Sequence, residues 1–367
     1  MDGQLKIFRD KDQDIIKYHS INTMRYMGNK RKLLKYIIPG IQKMTRKGDV
    51  VFDLMAGTAC VGYALKARNR IISNDIEWYS FIIGKALIEN NVFNITQEDV
   101  ETNILSAYNL NKQKKEFSFF FDKYSDTYFS AEQCLDIDSI RYAIEKIPNK
   151  GKDVYKRALY LTILMSTMGY AQSTSGHFAE YMPKDHPRIV KLRKISILDA
   201  FLKKCFEFKI IFNNFQNKTF RTDWRSIFID NEYKDILKET VVFYIDPPYT
   251  AEQYSRFYHL LDTLVLYDYP NIQHKGLYRS DRYKSAFCYR SKIKKEFNDL
   301  IYEIFQKTNA NIILSYSNTG LILENDILRI CSKYFNHVES RKFSYPHSTQ
   351  GKGNITHVKE YLIICSR

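Results

Sequence analysis

The chain has 367 residues, 44% of them hydrophobic, which excludes an intrinsically disordered polypeptide and leaves room for about two domains. Lysine and arginine number 56 against 41 acids, and the net charge of +15 favours a polyanionic partner, most simply nucleic acid. The six cysteines form no CxxC pair, so neither a zinc site nor a disulfide framework is expected.

The first twenty residues, Met1 to Ser20, are charged throughout and do not read as a signal peptide. No apolar run approaches the ~18 residues of a transmembrane helix, so a cytoplasmic protein is expected. From about Gly48 to Asn90 the pattern is strand, tight turn, helix, strand, helix. Val50, Val51, Phe52 and Leu54 form one short apolar run, and Ile71 and Ile72 another, ending at Asn74 and Asp75. Short apolar strands alternating with helices predict parallel βαβ units. From about Val100 to Phe220 helical periodicity and polar loops dominate. One helix is predicted from Asp153 to about Met168 and another from Arg188 to Phe206, with a loop holding Gly169, Ser173, Thr174, Ser175, Gly176 and His177 between them. Sheet character returns at Val241–Ile245, Ile312–Tyr316 and Tyr361–Cys365. The simplest organisation is one α/β domain, residues 1–100 and 215–367, interrupted by a mostly helical insert, 101–214.

Three constellations carry chemistry. The turn Asp53-Leu54-Met55-Ala56-Gly57-Thr58-Ala59-Cys60-Val61-Gly62 approximates a nucleotide-binding turn, with Ala59 where a dinucleotide site has its middle glycine. A ligand without phosphates does not need that glycine. S-adenosylmethionine is such a ligand: its carboxylate suits exposed turn N–H groups, and its ammonium suits Asp53. A plain strand-to-helix turn explains the same residues. Asp75, closing the second strand, suits ribose hydroxyls, or else caps the next helix. The third constellation is Tyr244-Ile245-Asp246-Pro247-Pro248-Tyr249. It places an acid, two rigid carbonyl-presenting prolines and an aromatic ring at the carboxyl end of a strand, where open α/β sheets bind ligands. Asp246 and the Pro247 carbonyl can accept both hydrogens of an exocyclic amine, and Tyr249 can stack on its base.

With these residues the chain resembles the Dam-type, alpha-group family of DNA adenine-N6 methyltransferases. Asp246-Pro247-Pro248-Tyr249 is similar to the family's catalytic DPPY tetrapeptide, Gly57 to Gly62 to its cofactor loop, and Asp75 to its ribose-binding acid. Arg25-Tyr26-Met27-Gly28-Asn29-Lys30 resembles the N-terminal cofactor segment, and Asp223 stands where the family has an acid near the cofactor's adenine. The resemblance covers roughly 1–100 and 210–367. Two departures are Tyr26, where some members carry Trp, and a turn less glycine-rich than many. The resemblance implies a Rossmann-like S-adenosylmethionine-dependent sheet with a helical target-recognition insert. It implies that Tyr26, Gly28, Lys30, Asp53, Ala56, Gly57, Asp75, Ile76, Asp223 and Asp246 bind cofactor, and that no metal is needed. It also implies double-stranded DNA as partner, a prokaryotic or phage-encoded modification enzyme with or without a separate restriction endonuclease, and a monomer or weak dimer. Rival readings are cytosine-N4 methylation, methylation of RNA or of a protein glutamine, and a non-catalytic DNA-specificity subunit. The acid in DPPY and the cofactor turn argue against all three.

For DNA contact, Gln172, Ser173 and His177 on the glycine-flexed loop are expected to read base edges. Arg279, Arg282, Lys284, Arg290 and Lys292, interleaved with Tyr283 and Tyr289, are expected to meet phosphates. Tyr254, Phe257, Tyr258 and His259 line the base pocket or form the buried face of a helix. Asn318 reads first as strand-end turn chemistry.

Overall fold

The computed structural model describes residues 4–9, 15–21, 23, 28–347 and 356–367. A hairpin of β1 (Gln4–Arg9) and β2 (Ile15–Ser20) precedes the main sheet. Then come β3 (Val50–Asp53), β4 (Arg70–Asn74), β5 (Lys218–Phe220) and β6 (Thr240–Ile245). A small hairpin, β7 (Ile272–Gln273) and β8 (Tyr278–Arg279), is followed by β9 (Asn311–Ser317), β10 (His337–His347) and β11 (Thr356–Ser366). The seven-stranded sheet has the order β10-β11-β9-β6-β3-β4-β5. From β9 to β5 neighbours are parallel; β11 runs antiparallel to both β9 and β10. The chain winds outward from β3 through β4 to β5, then returns to place β6 on the other side of β3. The order therefore reverses between β3 and β6, and the carboxyl ends of those strands are where such sheets open a ligand crevice.

The strands read as continuous apolar runs because both faces of the sheet are covered. Val51, Ile71, Val242, Tyr244 and Ile313 point into one apolar cluster; Phe52, Ile72, Phe243, Ile245, Ile312 and Leu314 point into the other. The insert joins the first cluster only. Phe120, Tyr124, Ile140 and Leu164 share it with Ile37, Tyr63 and Ile83 of the sheet's own helices, so insert and sheet have a continuous core.

The insert is helical, as its periodicity predicts. Its central helix spans Asp153–Ala171 and is buried on all sides from Ala158 to Gly169, the pattern of a helix enclosed by protein. The helix expected from Arg188 to Phe206 is two: Pro187–Leu192 and Ile197–Glu207. The break is a local capping decision. The Ser196 hydroxyl accepts from the Asp199 N–H and starts a new helix. The expected strands at Val241–Ile245 and Ile312–Tyr316 are β6 and β9. That at Tyr361–Cys365 is the inner part of a longer β11. Sequence periodicity missed β10. It is the sheet edge, and Glu339, Arg341 and Lys342 on it are exposed, so no apolar run marks it.

Candidate active site

A cleft opens at the carboxyl ends of β3, β4 and β6. It is lined by Gly28, Lys30, Asp53, Ala56, Gly57, Asp75, Ile76, Asp223, Asp246, Pro247 and Pro248, together with Asn74, Glu77, Thr222, Trp224, Tyr254 and Tyr283. Residues far apart in sequence converge here because the topology reverses here. Tyr26 lies outside the described residues.

The turn after β3 is held from three sides. Leu54 N–H donates to the Tyr244 carbonyl (3.0 Å), Ala56 N–H to the Asn74 carbonyl (2.9 Å) and Gly57 N–H to Asp75 Oδ2 (2.8 Å). Gly57 has φ 53°, and Ala59 follows with φ 54° and ψ 22°. Left-handed backbone at a non-glycine residue costs about 1 kcal/mol and persists where surrounding bonds impose it, often at a functional site. Asn74 ties this turn to the loop after β5, donating to the Leu54 carbonyl (3.2 Å) and the Thr222 carbonyl (3.1 Å). Asn74 is a site residue that no motif marks, although it stands beside Asp75.

Five acids line the cleft and shape its electrostatics. Asp53 is 1% exposed, and its Oδ1 has no hydrogen-bond partner. Burial first, then the Asp246 charge, lifts its carboxyl to about 8. Asp75 is lifted by burial and eased by the N–H groups it accepts from, including Glu77 N–H at 3.0 Å. Asp223 caps the helix Trp224–Ile229 through Arg225 N–H (2.9 Å) and accepts the Tyr283 hydroxyl (2.7 Å). Glu77 is buried beside Asp262, and the desolvated pair holds Glu77 well above the usual carboxylate range. Tyr283 and Glu77 are also site residues missed in the sequence. The first lies within a basic stretch of sequence, and the second gains its partner only through tertiary contact.

Asp246 sits just past the end of β6. Its Oδ1 takes the Lys30 ammonium at 3.0 Å and the Tyr249 hydroxyl at 2.8 Å. Burial raises its carboxyl, and Lys30 works against that rise. Burial disfavours the Lys30 ammonium, yet Asp246 and then Glu360 hold it above the usual lysine range. Lys30 also donates to the Gly28 carbonyl (2.9 Å). Gly28 has φ +76°, and a Cβ there would stand 3.1 Å from the Tyr254 hydroxyl oxygen, so the segment needs its glycine.

Several expectations need correction. Tyr249 does not offer its ring to the cleft: it is buried, with Lys30 4.6 Å from its centroid and its hydroxyl on Asp246. Gln172 and Ser173 are buried and cannot read DNA. Gln172 donates to the Gly169 carbonyl (3.0 Å) and accepts from Thr174 (2.7 Å), while the Ser173 backbone bonds the Tyr128 carbonyl (2.8 Å). Gln172 satisfies a carbonyl at the helix end, and the Ser173 hydroxyl accepts from Arg193 Nε (3.4 Å), so their polar atoms are taken up inside the protein. Arg279 is 3% exposed and clamped between Asp268 (2.6 Å) and Asp281 (2.9 Å), so its charge is spent inside the protein. His177 is half-buried and stacked on Phe257 (4.4 Å). Arg282 is half-buried with its guanidinium over the Tyr278 ring (4.7 Å). Lys284, Arg290 and Lys292 are exposed. Phe257, Tyr258 and His259 are buried helix face, and only Tyr254 of that group reaches the cleft. Asn318 extends the β9–β11 ladder, its Oδ1 accepting Lys359 N–H at 2.9 Å.

Comparison with known proteins agrees with the geometry. The family model described as D12 class N6 adenine-specific DNA methyltransferase matches residues 26–316. The Type II methyltransferase M.FokI of Planomicrobium okeanokoites is 32% identical over 356 residues, covering 92% of this chain and 52% of that protein. The modification methylase StsI of Streptococcus sanguinis is 30% identical over 324 residues, covering 85% and 46%. This chain thus spans about half the length of these two relatives. The Type II methyltransferase M.NlaIII of Neisseria lactamica is 28% identical over 369 residues, covering 94% of this chain and 99% of that protein. With the family model matching most of its length and the DPPY acid set in the cleft at the sheet's switch point, the chain belongs to the D12 class N6 adenine-specific DNA methyltransferase family.

Proposed function

We propose that the chain transfers a methyl group from S-adenosylmethionine to the N6 amine of an adenine flipped out of duplex DNA, as the modification enzyme of a restriction-modification system. The observation that carries this reading is Asp246: its Oδ1 is filled by Lys30 and Tyr249, which leaves Oδ2 for a donor arriving in the cleft.

The cleft fits S-adenosylmethionine. The orphaned, buried Asp53 Oδ1 is an acceptor without a donor, a rare and costly state that an ammonium relieves. Asp75, held by two backbone N–H groups, keeps lone pairs for ribose hydroxyls. Asp223 and Trp224 line the opposite wall and suit an adenine ring. When bound, this cofactor supplies a methyl group already activated by a positively charged sulfur.

The chain's own residues do the rest. An adenine amine is a poor nucleophile because its lone pair is delocalised into the ring. Accepting its hydrogens at Asp246 Oδ2 and the Pro247 carbonyl favours a more tetrahedral nitrogen with its lone pair available. The two prolines fix those acceptors before the base arrives, and alignment supplies much of the rate. The amine is unreachable inside a duplex, so the base must leave the stack. Lys284, Arg290 and Lys292, exposed on one stretch of chain, suit phosphate contact.

The DNA of an expressing host that otherwise lacks adenine methylation, digested to nucleosides and analysed by mass spectrometry, is expected to contain N6-methyladenine, and modification-sensitive sequencing of the undigested DNA is expected to place it at one sequence motif. N4-methylcytosine as main product, or no modified nucleoside, rejects the reading.

A further inference from the structure

The C-terminal strand carries another acid to the same place. Glu360 on β11 is buried and pairs in register with Ser317 of β9, outside the residues matched by the family model. Its Oε2 lies 3.3 Å from the Tyr249 hydroxyl, whose other neighbours are Asp246 Oδ1 at 2.8 Å and Ser315 Oγ at 3.5 Å. Glu360 also joins Asp246 in stabilising the Lys30 ammonium. Among the described residues, the Lys30 ammonium, the Asp246 and Glu360 carboxylates and the Tyr249 phenol thus meet in a buried space. A buried carboxylate is costly unless paired and hydrogen-bonded, so its placement behind the DPPY tetrapeptide calls for a role.

A phenol has one proton to give. That hydrogen lies within reach of both Asp246 Oδ1 at 2.8 Å and Glu360 Oε2 at 3.3 Å, so the two acids compete for it. The Lys30 charge, shared with Glu360, does not fully neutralise Asp246. We infer that Glu360 is a positioning residue for methyl transfer: from behind Tyr249 it competes with Asp246 for the phenol hydrogen and for the Lys30 ammonium, so that Asp246 keeps one oxygen aimed and basic toward the target amine. The inference rests on the adenine-methylation reading above.

Three measurements on the full chain test it. In Glu360→Gln, kcat is expected to fall at least ~10-fold while KM for S-adenosylmethionine stays within about twofold, since the residue touches no ligand. In a Tyr249→Phe background the same change is expected to cost less than it does in the otherwise unaltered chain, because the route through the phenol is already gone while the route through Lys30 remains. In lysine-labelled protein, with the Lys30 NMR signal assigned by its loss in Lys30→Arg, the Lys30 titration is expected to move to lower pH in Glu360→Gln. Unchanged kcat, a fully additive loss with Tyr249→Phe, or an unmoved Lys30 titration each overturns the inference. A wild-type chain that methylates no DNA brings down the methylation reading and with it this role for Glu360. The Lys30 titration then still reports whether Glu360 engages that ammonium, so the two failures are distinguishable.

Discussion

At the scale of single residues, the cleft is organised around carboxyl groups that burial pushes toward neutrality. Asp246 is the group in contact with the amine in the proposed reaction. Asp246→Ala is expected to lower turnover by ~10²-fold or more, the scale of losing one preorganised group in a dry site, with cofactor affinity largely kept. Radiolabelled methyl transfer and calorimetry check both halves, and near-normal turnover would remove Asp246 from the mechanism. Asp53 is the more informative titration. Its folded carboxyl titrates near 8 and its unfolded one near the ordinary value of about 4. Between those values the folded chain binds a proton that the unfolded chain releases, so this group's contribution to stability declines as pH rises from about 4 to about 8. Asp53→Asn is expected to flatten that dependence and raise the melting temperature at pH 8 by about 2 °C or more. It is also expected to weaken cofactor binding at least ~10-fold, the scale of one charged hydrogen bond. A variant that is more stable and binds equally well would show that Asp53 does not meet the ligand.

At the scale of elements, a buried histidine contact between the insert loop and the catalytic half ties stability to pH. The His259 ring, on the helix His259–Leu266, places Nε2 3.0 Å from the Phe178 carbonyl; since a carbonyl only accepts, that nitrogen carries the hydrogen. Burial holds this imidazole down to about 3. In the unfolded chain it protonates near 6.5. Its contribution to stability is therefore complete above about 6.5 and is lost as pH falls from there toward 3. His259→Gln keeps a donor for Phe178 and does not titrate, so denaturant unfolding between pH 4 and 7 should show a shallower acid limb. His259→Phe leaves the carbonyl unsatisfied and should cost about 1–3 kcal/mol at neutral pH. An unchanged pH slope in His259→Gln would mean that other groups govern acid unfolding. The same loop shows why short polar residues mislead. Gln172, Ser173 and Thr174 look free for recognition in sequence, yet Gln172 bonds a carbonyl at the end of a buried helix, Thr174 bonds Gln172, and Ser173 is held by Tyr128 and Arg193.

For the whole molecule, the net positive charge is not spread evenly in use. Arg279 is consumed by two aspartates, whereas Lys284, Arg290 and Lys292 face solvent. Lys292→Ala is expected to weaken binding to all duplexes about equally and to reduce the slope of log affinity against log salt by roughly 0.9. His177→Ala, altering the remaining half-exposed member of the expected readers, is expected to change which sites are modified. Binding titrations over a salt series, with sequencing of modified DNA, separate the two roles. A changed motif in Lys292→Ala with an intact one in His177→Ala would reverse the assignment.

What the sequence determined by itself is local and periodic. Apolar runs ending in Asp53, Asp75 and Asp246 announced parallel strands with acids at their carboxyl ends, and the DPPY tetrapeptide announced the family, because strand pairing, turn chemistry and rigid prolines are written in adjacent residues. The tertiary structure alone decided how those acids are partnered. Lys30 reaches Asp246, Asn74 clamps Thr222, Glu360 arrives from the last strand, and Tyr249 turns inward, because the sheet order reverses between β3 and β6 and brings distant segments into one dry cleft. Whether a charged or polar side chain faces DNA or is spent inside the protein depends on which partners folding brings within about 3 Å, and no spacing along the chain encodes that distance.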